Sequence, residues 1–228
     1  MLTEAENNKK KVGEAAVAYV KDGMTVGLGA GSTVNMMVET LAKHLHKENI
    51  QIHVVPASIH TERLAKKFGI PLTDFSEVEQ LDLMIDGADE VDQQFQLLKG
   101  GGGSLVREKI IASAAQELLI MVDESKLVAT LGRFPLPVEI LPFGWELTAK
   151  KLAELGAKPK IRGGEDKPFV TDNQHYILDC SFGEIPNPQS LHNQLKGLVG
   201  VVETGLFVDM VSTVLISSDG EVSTLSKK

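Results

Sequence analysis

The chain has 228 residues, 43% hydrophobic and 24% charged, which is typical of a globular protein rather than a disordered, collagenous or coiled-coil one. Its 23 basic and 31 acidic residues give a formal net charge of −8, which argues against general nucleic-acid binding, because that needs a basic surface. Cys180 is the only cysteine, so an intramolecular disulfide is excluded and we expect a reducing, cytoplasmic environment. The polar start lacks the apolar core of a signal peptide, and no apolar run approaches the roughly 20 residues that cross a bilayer, so we expect no membrane partner.

Helix-like and strand-like stretches alternate over the first two-thirds of the chain. The pattern predicts a helix over 4–20, a strand over 24–29, a helix over 33–47, a strand over 50–55, a helix over 61–68, a strand over 81–85, a helix over 104–119 and a strand over 118–122. Wholly apolar strands joined by helices are typical of parallel sheets covered on both faces. We therefore predict a Rossmann-like α/β fold with a mostly parallel sheet.

A second pattern begins near Arg133, after which several prolines mark a boundary. It predicts a strand over 138–141, a helix over 145–155, a strand near 160–162, a strand over 176–182, a helix over 188–196 and a strand over 201–207. This βαββαβ order is the ferredoxin-like arrangement, so we predict a smaller α+β domain.

The last residues predict a hairpin with strands over 211–217 and 221–225 around Asp219-Gly220. We expect this hairpin to return to the first domain. The predicted division is a Rossmann-like catalytic domain over 1–132 with 206–228, and a ferredoxin-like domain over 133–205 that serves as a lid, an oligomer contact or both.

The first unusual loop is GLGAGST, over 27–33, between a predicted strand and helix. Glycines let the backbone approach a ligand, and amides at a helix start favour anions, so we predict that Gly31, Ser32 and Thr33 bind a phosphate. The loop is not a P-loop, because no lysine follows its glycines. It is not a clean dinucleotide-binding fingerprint either, because Ser32 stands in place of the third glycine. The alternative is a tight turn with a Ser/Thr cap.

The second loop, DGADEVD over 86–92, places four acids after a buried strand. Its spacing does not fit an EF-hand, and a magnesium site has no further support. Carboxylates that hold sugar hydroxyls fit a cleft beside a phosphate loop, so we predict that the segment from Asp86 through Gly87 and Ala88 to Asp89 contacts substrate. The alternative is a solvated acidic turn.

The third loop is Lys99 followed by four glycines, Gly100–Gly103, which lead into a predicted helix. Consecutive glycines are costly to order, and their amides make a second anion-stabilising loop, with contacts predicted from Lys99, Gly100, Gly101 and Gly102. The alternative is a flexible linker.

Glu108 stands in the first turn of that predicted helix. It shares a helical face with Ile111, Ala112, Ala115 and Leu119, so its carboxylate should project from an apolar stripe. A partly desolvated carboxylate at the carboxyl edge of a sheet suits a general base, although a buried structural ion pair is the alternative.

Two lysine positions and one cysteine complete the candidates. Lys126 follows the strand over 118–122, and Lys9 lies in the basic run before the first helix becomes apolar, so either could meet a phosphate. The histidines show no zinc spacing, and we predict no metal site. Cys180 lies in an apolar strand, and we expect it in the core.

Together these segments closely resemble type A ribose-5-phosphate isomerase, through GLGAGSTV (27–34), DGADEVD (86–92), KGGGGSLVREKI (99–110) and VDESK (122–126). The resemblance implies interconversion of D-ribose 5-phosphate and D-ribulose 5-phosphate in the non-oxidative pentose phosphate pathway. It also implies no cofactor, a sugar phosphate as the small-molecule partner, and a homodimer or dimer of dimers.

The resemblance also implies residue roles. Glu108 matches the base that moves a proton through an enediolate, and Asp86 matches a residue that assists ring opening. Asp89 and Lys99 match residues that hold hydroxyls and stabilise negative charge, and the phosphate contacts match Ser32, Thr33, Lys126 and Lys9, with backbone donors at Gly31 and Gly100–Gly103. One departure is Ala30, where the family commonly has threonine.

Two other functions stay open from the residues. A non-catalytic sugar-phosphate sensor would bind ribose 5-phosphate without turnover, although the chain is acidic and has no room for a helix-turn-helix. A transferase would use Glu108 as a nucleophile towards a thioester, for which the chain looks short. Fold alone does not separate these alternatives.

Overall fold

The computed structural model describes residues 3–227. In chain order its elements are α1 (Glu4–Val17), β1 (Thr25–Leu28), α2 (Ser32–Glu48), β2 (His53–Pro56), α3 (Ile59–Lys67), β3 (Leu81–Gly87), β4 (Glu90–Val91), β5 (Leu97–Leu98), α4 (Leu105–Ala114), β6 (Ala115–Asp123), β7 (Leu136–Ile140), α5 (Trp145–Glu154), β8 (Lys158–Ile161), β9 (Tyr176–Ser181), α6 (Pro188–Lys196), β10 (Val201–Thr204), β11 (Leu206–Phe207), β12 (Thr213–Ser218) and β13 (Glu221–Ser226). A short 3-10 helix covers Glu124–Lys126.

The chain divides into two compact units. The first unit comprises the residues up to Ala88, Arg107–Lys126 and the residues from Met210 onward, and the second comprises Asp89–Val106 and Leu127–Asp209. The domain boundaries at 132/133 and 205/206 stay a prediction.

The first unit contains a six-stranded sheet in the order β13-β12-β6-β3-β1-β2. All neighbours are parallel except the terminal hairpin of β12 and β13, which is antiparallel. Asp219 and Gly220 both have positive φ, as the hairpin turn requires. The mostly parallel α/β sheet and the returning hairpin are both confirmed.

Helices cover both faces of this sheet. Val26 and Leu28 of β1 are fully buried and belong to one core cluster with residues of α1 and α2. Gly27, between them, points to the opposite face, where a Cβ would lie 2.4 Å from Cγ2 of Ile111 in α4. Only glycine allows this close approach of strand and helix, so the sequence of β1 sets the position of α4.

The helix predicted over 104–119 is wrong in its second half. The helix α4 ends at Ala114, and the chain enters β6 at Ala115 without a loop. Ala115 is already paired in parallel with Leu81 of β3. Sheet hydrogen bonds from a neighbouring strand therefore outweigh the local helical pattern. The apolar helical face predicted to contain Glu108 consequently ends at Ala112.

The second unit contains a four-stranded antiparallel sheet in the order β10-β7-β9-β8. Together with α5 and α6 this gives the predicted ferredoxin-like arrangement. Alternate residues of β7, namely Leu136, Val138 and Ile140, are fully buried in the core on one face of the sheet.

A second, three-stranded sheet in the order β11-β5-β4 was not predicted. The strand predicted over 201–207 divides at Gly205, whose N–H donates to the carbonyl of Pro137. A Cβ on Gly205 would lie 2.1 Å from the carbonyl oxygen of Lys99, so only glycine fits here. Pairing of β11 with β5 redirects the chain, and nothing local in the sequence reveals that partner.

Candidate active site

A buried threonine is hydrogen-bonded to the glycine loop after β1. Thr61 of α3 is fully buried, and its hydroxyl donates to the carbonyl of Gly29 at 2.9 Å. Gly31 precedes α2 as its N-cap with a φ of 99°, a conformation that favours glycine. No side chain of the described residues caps this helix start, which leaves its first amides available to an anion, as the phosphate prediction requires.

Lys9 and Ser32 lie together at this helix start. Nζ of Lys9 donates to Oγ of Ser32 at 2.9 Å, although the two residues are 23 positions apart. Thr33 follows in the first turn of α2. An ammonium group, a hydroxyl and free helix amides form an arrangement suited to a phosphate dianion.

Asp86 occupies the carboxyl end of β3 and is fully buried. Its Oδ1 accepts hydrogen bonds from the N–H groups of Ala30, at 3.3 Å, and Gly87, at 2.7 Å. The side chain thus connects the end of β3 to the first glycine loop. Ala30 takes part through its backbone, so its lack of a hydroxyl does not disturb this contact.

Glu108 lies in the first turn of α4 and is 4% exposed. The predicted burial is confirmed, although the long helical stripe that suggested it is not. Ile111 and Ala112 on the same face are buried, whereas Ala115 and Leu119 belong to β6. A carboxylate in such surroundings has little water around it, which suits proton transfer from carbon.

Lys126 lies in the 3-10 helix that follows β6. That turn is held by Oδ1 of Asp123, which accepts from the N–H of Ser125 at 3.0 Å, and by Glu124, which accepts from the hydroxyl of Ser218 at 2.6 Å. The strand β6 lies beside β3 in the sheet, so Asp86 at the end of β3 and Lys126 just after β6 belong to the carboxyl ends of neighbouring parallel strands.

The second unit carries Asp89, Lys99 and the four-glycine loop. Oδ2 of Asp89 accepts from the N–H of Gly101 at 2.8 Å. Lys99 is 3% exposed, its N–H donates to the carbonyl of Gly205, and its Nζ lies 5.3 Å from the centroid of the Phe207 ring. The aromatic face stabilises the buried ammonium group, as in other cation–π contacts.

The remaining acids of the 86–92 segment hold backbone amides. Glu90 is fully buried and accepts from the N–H groups of Gly132, at 2.7 Å, and Phe134, at 2.6 Å. Asp92 accepts from the N–H groups of Gln94 and Gln96. These contacts make the segment an organised structural element, which the alternative of a solvated acidic turn does not predict.

Two residues that support the glycine loops have no signal in the sequence. Thr61 reaches Gly29 across 32 positions, and Arg162 donates to the carbonyl of Gly100 across 62 positions. Each is an ordinary residue in its local context, and only the tertiary structure brings it to its loop.

Cys180 is fully buried in β9, as predicted. Burial raises the pKa of its thiol to about 12, and the negative charge of Asp179 adds to this rise. The thiol is therefore protonated and unreactive at neutral pH.

Within residues 3–227, no group of three or more His, Cys, Asp or Glu side chains is placed to hold a metal ion. No helix in the same part of the chain is both long and apolar enough to cross a membrane.

Comparisons with known proteins agree with one another. The family model for ribose 5-phosphate isomerase A (phosphoriboisomerase A) matches residues 53–221. Ribose-5-phosphate isomerase A 1 of Oceanobacillus iheyensis is 52% identical over 97% of this chain and 99% of its own. The enzyme named ribose-5-phosphate isomerase A in Bacillus mycoides is 49% identical over 93% of this chain and 96% of its own.

Solved structures give the same result. Ribose 5-phosphate isomerase A from Methanocaldococcus jannaschii superimposes with a TM-score of 0.92 at 38% identity, over 98% of this chain and 100% of its own. A D-ribose-5-phosphate isomerase in complex with phospho-erythronic acid superimposes with a TM-score of 0.94 at 34% identity, over 99% of this chain and 100% of its own. The chain therefore belongs to the ribose 5-phosphate isomerase A family, and it is an enzyme, an isomerase.

Proposed function

We propose that this isomerase interconverts D-ribose 5-phosphate and D-ribulose 5-phosphate through an enediolate, with Glu108 as the base. The reaction is that of the family to which the chain belongs. The observation that supports the assignment of Glu108 is its burial at the start of α4, five residues after Gly103, the last residue of a four-glycine loop in which Gly101 and Gly102 are exposed.

The proton transfer balances without an oxidant or reductant. Glu108 would remove the proton from C2 of the open-chain aldose, and the electron pair would move towards the carbonyl oxygen on C1 to give an enediolate. Return of a proton to C1, with transfer of a proton between the two oxygens, yields the ketose. Because aldose and ketose are isomers, we propose that no redox cofactor takes part, and we assign no metal to the step.

The remaining roles follow the chemistry of each residue. Asp86 would assist opening of the sugar ring, since a carboxylate can accept the proton of the anomeric hydroxyl. Asp89 would hold sugar hydroxyls, and Lys99 would stabilise the negative charge that develops on oxygen. Gly87 and Ala88 connect Asp86 to Asp89 along the chain and would offer backbone contacts to the same sugar.

Phosphate binding is assigned to the helix start of α2 and two lysines. The N–H groups that follow Gly31, the hydroxyls of Ser32 and Thr33, and the ammonium group of Lys9 already lie at that helix start. Lys126 follows a neighbouring strand and would add a second positive charge. The phosphate would supply binding energy that orients the distant reacting carbons.

The amides of the four-glycine loop would complete the charge stabilisation. Gly100 and Gly102 would present N–H groups to the enediolate oxygen, whereas the N–H of Gly101 donates to Asp89 and would hold that carboxylate at the sugar. A relative was solved with phospho-erythronic acid, a phosphorylated four-carbon acid. Its carboxylate is planar and anionic like an enediolate, which supports a family site that takes a phosphate and a planar anion together.

The decisive experiment measures formation of ribulose 5-phosphate from ribose 5-phosphate by the purified protein in EDTA. We expect robust turnover by the wild type and a loss of about 10²–10⁴-fold in kcat for Glu108→Gln, the usual contribution of one general base. Binding of ribose 5-phosphate to that variant, followed by calorimetry, should persist. Glu117→Gln is the matched control, since Glu117 is exposed on β6, and it should keep full activity.

Three other results would change the assignment. Full activity of Glu108→Gln would remove Glu108 from the base role while leaving the isomerase in place. Binding of ribose 5-phosphate by the wild type without turnover would favour the sugar-phosphate sensor. A covalent adduct trapped on Glu108 with acyl-coenzyme A would favour the transferase.

We also propose a cytoplasmic homodimer or dimer of dimers, which finds support in the family resemblance and in exposed apolar side chains of the second unit. Phe143 is 96% exposed and Val199 is 82% exposed, which is unusual for such side chains on a monomer. Light scattering coupled to gel filtration would test this, and a monomer at micromolar concentration would contradict it.

A further inference from the structure

The carbonyl side of the four-glycine loop is held by one arginine. Arg162 follows β8 directly, and its Nη1 donates to the carbonyl oxygen of Gly100 at 2.9 Å and to that of Gly101 at 3.1 Å. All of these residues belong to the second unit. One guanidinium nitrogen therefore fixes two consecutive peptide planes of the loop.

The guanidinium group is itself fixed on its other side. Nε of Arg162 donates to Oδ2 of Asp179 at 3.0 Å, and Nη2 donates to Oδ1 of the same carboxylate. The Arg162 side chain is 16% exposed and that of Asp179 is 26% exposed, so this bidentate pair is well shielded from water. Such fork-like pairs fix the orientation of an arginine more strictly than a single contact does.

Phe169 closes the remaining side. Its ring centroid lies 5.8 Å from Cζ of Arg162, within the range of a cation–π contact. The same ring would lie 2.6 Å from a Cβ on Gly103, so it packs tightly against the end of the loop. The loop is therefore held at Gly100 and Gly101 by hydrogen bonds and at Gly103 by packing.

The planarity of the peptide bond determines where the amides point. In a trans peptide, the N–H of one residue points opposite to the carbonyl of the residue before it, and no cis peptide occurs in the described chain. Because the carbonyls of Gly100 and Gly101 point to Arg162, the N–H groups of Gly101 and Gly102 point away from it. The first of these donates to Asp89, and both glycines are exposed.

We propose that Arg162, anchored by Asp179, is a positioning residue of the isomerase reaction. It holds the two carbonyls so that the N–H of Gly101 meets the Asp89 carboxylate and the N–H of Gly102 is aimed at the oxygen that becomes negatively charged in the enediolate. Its positive charge also polarises both peptide groups and makes their N–H groups stronger donors. The inference rests on the proposed function, and it adds to the acid, base and lysine roles a residue that need not touch the substrate.

Lysine cannot replace arginine in this position. Four hydrogen bonds at fixed angles, two to Asp179 and two from Nη1 to the carbonyls, require a planar fork, whereas an ammonium group is a single point charge on a flexible stem. Arg162→Lys thus keeps the charge and removes the geometry. Arg162→Met removes both, and Asp179→Asn keeps the arginine but weakens its anchor.

The test compares kcat and KM for ribose 5-phosphate in these three variants. We expect kcat to fall about 10- to 100-fold in Arg162→Lys and Arg162→Met, somewhat less than the loss of a direct oxyanion donor, with a smaller fall in Asp179→Asn. KM should change little, because the phosphate contacts are in the first unit. Arg133→Lys is the matched control, since Arg133 is an exposed arginine of the same unit, and its kcat should stay at the wild-type value.

Inhibitor binding separates positioning from a merely structural role. A phosphorylated four-carbon hydroxamate imitates the planar enediolate, and its affinity should fall in parallel with kcat in the Arg162 variants. The affinity for inorganic phosphate should stay unchanged. If a substitution only reduced the fraction of folded protein, fewer active molecules would remain, but both affinities would be unchanged.

Hydrogen–deuterium exchange tests the loop without reference to catalysis. Amides of the peptide around Gly100–Gly103 should exchange faster in Arg162→Met than in the wild type, while peptides of the first unit keep their rates. Unchanged kcat in both Arg162 variants, or unchanged exchange of the loop, would overturn the proposal.

If the wild type itself failed to isomerise ribose 5-phosphate, the proposed function would be wrong and the catalytic part of this inference would fall with it. The exchange result would then still report whether Arg162 holds the loop.

Discussion

Gly29 lies so close to Asp86 that no side chain fits between them. A Cβ on Gly29 would lie 2.0 Å from Cγ and 2.0 Å from Oδ1 of Asp86, well inside any van der Waals contact. The N–H of Ala30 donates to the same carboxylate oxygen. The backbone of the first glycine loop therefore packs directly against the Asp86 side chain at the end of β3.

Gly29→Ala should displace the Asp86 side chain. Because Asp86 is fully buried, the added methyl group has nowhere to go, and we expect a loss of about 1–3 kcal/mol in the free energy of unfolding, the usual cost of overpacking. Turnover of ribose 5-phosphate should fall more than tenfold, as roughly expected when a reacting group is misplaced. Urea denaturation and steady-state kinetics measure the two effects.

Gly197→Ala provides the control for that substitution. Gly197 follows α6 with a φ of −74°, and a Cβ there would meet nothing nearer than the carbonyl of Gln194 at 3.4 Å. Both stability and turnover should stay near the wild-type values. Equal effects of the two substitutions would show that the contact with Asp86 is not responsible.

Lys9→Met should weaken phosphate binding. Nζ of Lys9 lies 2.9 Å from Oγ of Ser32 at the start of α2, and we expect removal of this charge to raise KM about tenfold, as for loss of one charge-assisted hydrogen bond. The value of kcat should change little, because the phosphate is remote from the reacting carbons. Inhibition by inorganic phosphate should weaken by the same factor.

The neighbouring lysine serves as its control. Nζ of Lys10 lies 3.8 Å from Oε1 of Glu14, and both side chains are about half exposed. Lys10→Met removes the same charge from the same helix, so a general electrostatic effect would appear in both variants. An unchanged KM in Lys9→Met would exclude Lys9 from the phosphate site.

Glu90→Gln should destabilise the second unit. The buried carboxylate accepts from the N–H groups of Gly132 and Phe134, and an amide offers only one acceptor oxygen for both. We expect a loss of about 1–3 kcal/mol in the free energy of unfolding, the cost of an unsatisfied buried donor. Glu184→Gln, at an exposed position, should have almost no effect in the same urea titration. Equal stability of the two variants would mean that the Glu90 contacts contribute nothing.

Because the pKa of the Cys180 thiol is raised, we expect the free energy of unfolding to fall at alkaline pH. Burial raises its pKa in the folded protein to about 12, from the ordinary thiol value of 9.0 that the unfolded chain retains. Between these values the unfolded chain releases a proton that the folded chain keeps, so folding is favoured below pH 9 and progressively less above it. The slope should reach about 1.4 kcal/mol per pH unit.

Chemical unfolding between pH 8 and pH 11 measures this slope. Cys180→Ala should lose less stability than the wild type over that range, whatever its stability at pH 8, because the other titrating groups are shared. Parallel curves for the two proteins would contradict the raised pKa. The native thiol should also resist alkylation at pH 8, since almost none of it is thiolate.

The local sequence predicted the main elements because their signals are local. Apolar runs such as Leu81–Ile85 indicate buried parallel strands, and the Asp219-Gly220 pair indicates a hairpin turn. The candidate loops could be found for the same reason, since runs of glycines and acids at strand ends are visible in the sequence. Burial of Glu108 was also predicted, through a helical face that extends only as far as Ala112.

Patterns within the sequence are enough to predict the mostly parallel sheet, the βαββαβ unit and the residue types available for chemistry. Three features depend instead on residues that are distant in the sequence. Ala115 begins a strand because it pairs with Leu81 of β3, the strand after Val201 divides at Gly205, and Arg162 holds Gly100 across 62 positions. The physical reason is the same in each case: a hydrogen bond or a close backbone approach between distant residues leaves no periodic pattern around either partner.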